Sequence, residues 1–159
     1  MCGIIGYVGG KEALPLLIEG LKNLEYRGYD SSGVCLLPAA GGALQIRKEQ
    51  GKIRCLEELM SKEPLPSAHV GIAHTRWATH GAPCRKNSHP HPNADHTIAV
   101  VHNGIIENYQ TLRSSLIRKG YTFLHSSYCR LDGILRFILK ITSCLVGRST
   151  YPQNSYSTP

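Results

Sequence analysis

The chain has 159 residues, which fits one domain, and its 18 Lys and Arg against 11 Asp and Glu leave a formal charge of +7. The basic residues are scattered, without runs or interleaved aromatics, which argues against a nucleic-acid surface. No apolar run approaches the ~18 residues needed to span a bilayer.

Six cysteines stand at Cys2, Cys35, Cys55, Cys84, Cys129 and Cys144. The N-terminus lacks a charged leader before a long apolar core, so the expected setting is reducing and cytoplasmic, with thiols mostly free.

In chain order, Cys2 to Val8 reads as a short strand ended by Gly9-Gly10. Glu12 to Leu24 places Leu14, Leu17, Ile18, Leu21 and Leu24 at helical spacing, with Pro15 tolerated in the first turn. Gly33 to Leu37 reads as a strand, Ala39 to Gly42 as a turn and Ala43 to Lys48 as a returning strand. A short helix is expected over Ile53 to Met60, then a proline-containing loop over Lys62 to Ser67. Val70 to His74 is the next strand, and Gly81 to Asp95 is a loop rich in Pro, His and Asn. Thr97 to His102 reads as a strand and Asn108 to Lys119 as a helix, and Gly120 opens a further strand. Strands in adjacent pairs between flanking helices predict an α+β class with stacked antiparallel sheets.

The chemistry-bearing residue that stands out is Cys2. With Met1 removed, it carries a thiol and a free α-amine on one residue. Such groups ordinarily titrate near about 8.5 and 7.7–8.0. The amine is then able to take the thiol's proton, directly or through a water, which makes an activated nucleophile. Alone, the same residues also read as an apolar first strand.

Three blocks add to this. They are Leu24-Glu25-Tyr26-Arg27-Gly28-Tyr29-Asp30-Ser31-Ser32-Gly33, His74-Thr75-Arg76-Trp77-Ala78-Thr79-His80-Gly81 and Val100-Val101-His102-Asn103-Gly104-Ile105-Ile106-Glu107-Asn108. With the Cys2-Gly3-Ile4 start, their order and spacing resemble the glutaminase domain of class II glutamine amidotransferases from Met1 to about Phe123. The first two blocks are most similar to the isomerising glutamine–fructose-6-phosphate aminotransferase branch.

That resemblance implies a four-layer αββα N-terminal-nucleophile hydrolase fold, here incomplete. It implies an enzyme that hydrolyses the amide of L-glutamine, with Cys2 as nucleophile and Asn103 and Gly104 at the oxyanion hole. The ammonia would serve glucosamine 6-phosphate synthesis from fructose 6-phosphate, the latter bound only in a full-length enzyme, itself a homodimer. Arg76 is the candidate for the substrate carboxylate, because guanidinium pairs bidentately with a planar carboxylate. Trp77 and His80 line the pocket in this reading. Arg27 resembles a residue that holds the N-terminal strand in place.

The residues alone leave other readings open. Asn103-Gly104 suits a hairpin turn, Arg76 a surface ion pair, Trp77 a core position, and His80 a solvated loop. Arg27 suits an ion pair with Asp30 or Glu25. Cys84, His89, His91 and His96 do not match a usual structural zinc spacing. The resemblance implies no metal and no cofactor, and the expected partners include neither nucleic acid nor membrane.

The expected domain is 2–123, a partial glutaminase domain lacking the isomerase region. Residues 124–159 are read as a non-matching tail, frameshifted or partly disordered. By count, Tyr128 stands where the family has the aspartate that binds the glutamine amino group. The alternatives are a non-catalytic glutamine-binding fragment or another class II amidotransferase. A stacked fold without its later strands is expected to leave apolar sheet surface uncovered.

Overall fold

The computed structural model describes residues 2–78, 83–93, 95–102 and 107–120. Its centre is an antiparallel sheet of four strands: β1 (Gly3–Val8), β2 (Ser31–Pro38), β3 (Gln45–Gln50) and β4 (Ala68–Arg76). The order across the sheet is β1-β4-β2-β3. Two helices, α1 (Ala13–Lys22) and α2 (Ile53–Lys62), pack on one face. A two-stranded pair, β5 (His91–Pro92) with β6 (Ala99–Val100), and a helix α3 (Tyr109–Arg118) follow.

Side-chain alternation sorts the sheet into two faces. Gly3, Ile5 and Tyr7 of β1 pair with Thr75, Ala73 and Gly71 of β4 on the helix face. Val34 and Leu36 of β2 pair with Ala73 and Gly71 on that same face. There they meet Ala13, Leu17, Ile18 and Leu21 of α1, and Ile53 and Leu56 of α2, in one core. Each fully buried leucine contributes about 1.5–3 kcal/mol through water exclusion. A Cβ at Gly71 would come within 2.6 Å of Leu36 and 2.8 Å of Leu17, so glycine permits this close packing of helix on sheet.

The helices are tied to the sheet at their ends. The Glu12 carboxylate, just before α1, accepts from the Ser67 hydroxyl and, at 3.2 Å, from the Ala68 N–H at the start of β4. The Tyr29 hydroxyl accepts the Ile53 N–H at 2.8 Å, satisfying one of the donors that the first turn of α2 leaves open. Tyr29 also donates to Glu25, and burial pushes its phenol up to about 12.

The opposite face is covered at one end only. Asn87, Ser88, His89, His91 and Asn93 are buried in the segment that lies across it. Farther along β1 and β2, Ile4, Val8 and Leu37 remain 49%, 79% and 41% exposed, an uncovered apolar strip among the described residues.

The expected elements appear with shifted ends. β2 begins at Ser31, two positions before Gly33, because Ser31 and Ser32 pair with Arg76 and Thr75 and are buried despite their polarity. The expected strand over Thr97 to His102 shrinks to β6, since the Asn93 side chain accepts the N–H groups of Thr97 and Ile98 at 2.9 and 3.0 Å. The expected loop over 81–95 contains β5 and a 3-10 turn at Arg85–Asn87. The strand expected from Gly120 and the tail over 124–159 lie outside the described residues. Among the described residues, no helix is long and apolar enough to cross a membrane.

Candidate active site

The start of β1 and the end of β4 meet because the two strands run antiparallel with Gly3 opposite Thr75. The Gly3 N–H donates to Thr75 Oγ1 at 3.0 Å, fixing the register at this end. A Cβ at Gly3 would fall 2.7 Å from Leu24 Cδ1 and 2.8 Å from Thr75 Oγ1, so the approach depends on glycine.

Cys2 therefore lies beside Arg76 and Trp77. The Trp77 N–H donates to Cys2 Sγ at 3.2 Å, and the half-buried thiol faces the Trp77 carbonyl at 3.9 Å. Continuing the alternation of β1 and β4 puts Cys2, His74 and Arg76 on the face opposite the helices. Arg76 is 6% exposed there, a burial that no surface ion pair has.

Trp77 is 51% exposed and its indole lies against Gly28, where a Cβ would come 2.7 Å from the ring. Gly28 has φ +70, the left-handed region that favours glycine, so both backbone and contact require it. Trp77 thus has one face packed and one open, and it is not a core residue.

The turn that carries Trp77 is held by Asp30. Its N–H donates to the Arg76 carbonyl at 2.8 Å, and its carboxylate accepts the Ala78 N–H. Arg27 stands at the surface, its guanidinium 5.8 Å from the centre of the Tyr26 ring and its Nε 3.3 Å from the Tyr26 hydroxyl.

Behind Arg76 lies a ledge of buried histidines. The His74 and His89 rings are 4.5 Å apart and those of His89 and His91 4.4 Å apart. His89 Nδ1 accepts the His102 N–H at 3.3 Å. Neither nitrogen of His74 has a hydrogen-bond partner among the described residues. Burial, with the Arg76 charge nearby, pulls the His74 imidazole down to about 4. Burial also pulls His89 well below the usual range, helped by His91, His74, Arg76 and Lys48.

These histidines make the fold acid-sensitive. Unfolded histidine titrates near about 6.5, whereas folded His74 stays neutral down to about 4. Below the unfolded value the unfolded chain takes up protons that the folded chain refuses. Stability is therefore complete above that value and falls as pH drops toward the folded one, by on the order of 1 kcal/mol per pH unit for each such histidine. Urea unfolding at pH 7.5 and pH 5 should show a clearly lower midpoint in acid. Equal midpoints would remove the histidines from the account of stability.

Of the residues singled out in the sequence, Cys2, Arg76 and Trp77 come together at one end of the sheet. His80, Asn103 and Gly104 lie outside the described residues. Among the described residues, no group of three His, Cys, Asp or Glu is placed to hold a metal ion. Sequence reasoning gave Asp30 only as an ion-pair partner for Arg27, and it gave His74 no role. A signal existed for His74, a polar residue within an apolar strand pattern.

Residues 74–145 match the model of the glutamine amidotransferase domain family. The chain is 54% identical over 125 residues to glutamine–fructose-6-phosphate aminotransferase (isomerizing) of Chlorobaculum tepidum, covering 77% of this chain and 20% of that protein. It is 52% identical over 143 residues to the protein of that name from Bacteroides thetaiotaomicron, covering 90% of this chain and 23% of the other. The chain thus spans about a fifth of the length of these curated relatives. Glutamine phosphoribosylpyrophosphate amidotransferase from B. subtilis superposes with a TM-score of 0.66 at 25% identity, covering 96% of this chain and 30% of that one.

Proposed function

Because the chain belongs to the class II glutamine amidotransferases and carries part of their N-terminal-nucleophile glutaminase domain, we propose that Cys2 hydrolyses the side-chain amide of L-glutamine. The observation that carries this reading is the Cys2 sulfur, held by the Trp77 N–H at 3.2 Å where β1 begins. With Met1 removed, the sulfur attacks the amide carbon and its proton passes to the freed α-amine of Cys2. The tetrahedral intermediate collapses, the amine returns the proton to the leaving nitrogen, and ammonia departs. Water then attacks the thioester and releases glutamate with the free thiol.

Arg76, Trp77 and His80 bind the substrate in this proposal. Arg76 takes the α-carboxylate through its planar guanidinium, and the open face of Trp77 borders the pocket. Asn103 and Gly104 donate to the developing oxyanion, a contribution of about 2.7–4 kcal/mol per donor in such sites. In a full-length cytoplasmic homodimer the ammonia would pass to fructose 6-phosphate and yield glucosamine 6-phosphate.

A glutamine analogue with an electrophilic diazoketone in place of the amide tests the reading. Peptide mass spectrometry should find it on Cys2 and not on Cys55 or Cys84, with excess L-glutamine protecting. Label elsewhere, or labelling indifferent to glutamine, would overturn it. Tyr128 at the place of the family's aspartate favours a second reading, a glutamine-binding fragment without turnover. Calorimetric binding of glutamine with no glutamate released would select that one.

A further inference from the structure

Asp30 is bonded on both sides of Trp77. Its backbone N–H donates to the carbonyl of Arg76, the residue before Trp77, at 2.8 Å. Its carboxylate Oδ2 accepts the N–H of Ala78, the residue after. The other carboxylate oxygen accepts the Ser31 hydroxyl at 3.1 Å, and the Asp30 carbonyl accepts the Gly51 N–H at 2.7 Å. Asp30 is thus anchored to β2 and to the turn between β3 and α2 while it grips the exit of β4. The peptide between its two grips carries the N–H that meets Cys2 Sγ at 3.2 Å. Two residues before Asp30, Gly28 supplies the surface on which the indole rests.

Ala78 and Trp77 lie beyond the last residue of β4, so no ladder bond holds them. A carboxylate accepting a backbone N–H is among the stronger hydrogen bonds. It is well suited to stop a chain from fraying where a strand ends.

We propose that Asp30 is a positioning residue for the Cys2 nucleophile: it clamps the Arg76–Ala78 turn so that the Trp77 N–H faces the sulfur and the indole stays on Gly28. The proposal rests on the amidotransferase reading only for its purpose. Its geometry and its test need no glutamine.

The chain contains one tryptophan, so its fluorescence reports this turn alone. Asp30→Ala should shift Trp77 emission to the red and speed iodoacetamide alkylation of Cys2 severalfold, followed by peptide mass spectrometry. Asp30→Asn keeps an oxygen for the Ala78 N–H and should hold both readouts near wild type. Emission and alkylation unchanged in Asp30→Ala would overturn the proposal, and so would an Asp30→Asn variant displaced as far as Asp30→Ala. Should Asp30→Ala show no cooperative unfolding, Asp30→Glu, which keeps the charge but moves the carboxylate off the Ala78 N–H, should show the red shift and faster alkylation, and both readouts at the wild-type value would overturn the proposal. Failure of the diazoketone experiment would instead remove the amidotransferase reading and leave this clamp standing.

Discussion

Changing Cys2 to alanine should bring glutamine hydrolysis by this chain down to the buffer rate, a loss of at least about 10³-fold. The reaction needs a nucleophile that forms and then releases an acyl bond. Alanine keeps the α-amine but offers no atom to attack the amide. The thiol's contacts are with the Trp77 backbone, 3.2 Å from its N–H and 3.9 Å from its carbonyl, and it is not part of the buried core. The fold should therefore tolerate the change to within about 1 kcal/mol. Stability and activity then separate, which identifies a chemical role for the sulfur. Blocking the α-amine with an acetyl group leaves the thiol in place and removes the base. That should cost about 10²–10⁴-fold, the usual range for general-base catalysis. Glutamate release measured on the three forms tests both steps. Turnover in the alanine variant would end the nucleophile assignment, and full activity in the acetylated chain would end the role of the amine.

Sheet and helices were legible where burial follows apolar spacing. Leu14, Leu17, Ile18 and Leu21 predict α1, and the last three of these are buried in the core with Leu14 packed against it. What escaped were elements held by polar groups. Ser31 and Ser32 extend β2 because ladder pairing, not hydrophobicity, buries them. β6 is cut short by the side chain of one residue, Asn93, which satisfies two backbone donors that a ladder would otherwise take. At the site, Cys2 and Trp77 stand 75 positions apart in sequence, and their meeting depends on the β1–β4 register. The resemblance anticipated that meeting, since composition and spacing alone say nothing of register. Asp30 could not be found that way, because its effect runs through main-chain bonds to Arg76 and Ala78. The apolar strip at Ile4, Val8 and Leu37 fits a four-layer αββα fold of which the described residues supply a four-stranded sheet and the two helices on one of its faces.

The largest effect on stability is expected at Gly33. It lies on β2 inside the sheet, paired with Lys48 on one side and His74 on the other. A Cβ there would stand 2.1 Å from the His89 carbonyl oxygen, 2.7 Å from Lys48 Cβ and 3.2 Å from the Arg47 carbonyl oxygen. Two of these are backbone atoms, and neither neighbouring strand is free to move away. The remaining escape is to lift the 88–90 segment off the sheet. That segment is pinned by Lys48 Nζ, which donates to the Ser88 carbonyl at 2.8 Å and the Pro90 carbonyl at 3.3 Å. Lifting it would also hydrate His89 and His91, now 3% and 1% exposed. Gly33→Ala should therefore cost about 3 kcal/mol, the upper part of the range for overpacking. Gly6→Ala provides the control. It sits on the same face of the sheet, in β1, and its Cβ would meet nothing within 4 Å. There the loss of chain entropy in the unfolded state should leave stability equal or higher by about 0.4–1 kcal/mol. Urea unfolding of both variants at pH 7.5 measures the contrast, and equal midpoints would contradict the packing of His89 on Gly33. The same variant bears on acid sensitivity. If Gly33→Ala folds with its histidine ledge hydrated, His74 and His89 no longer resist protonation, and the fall in stability between pH 7.5 and pH 5 should be shallower than in the parent chain.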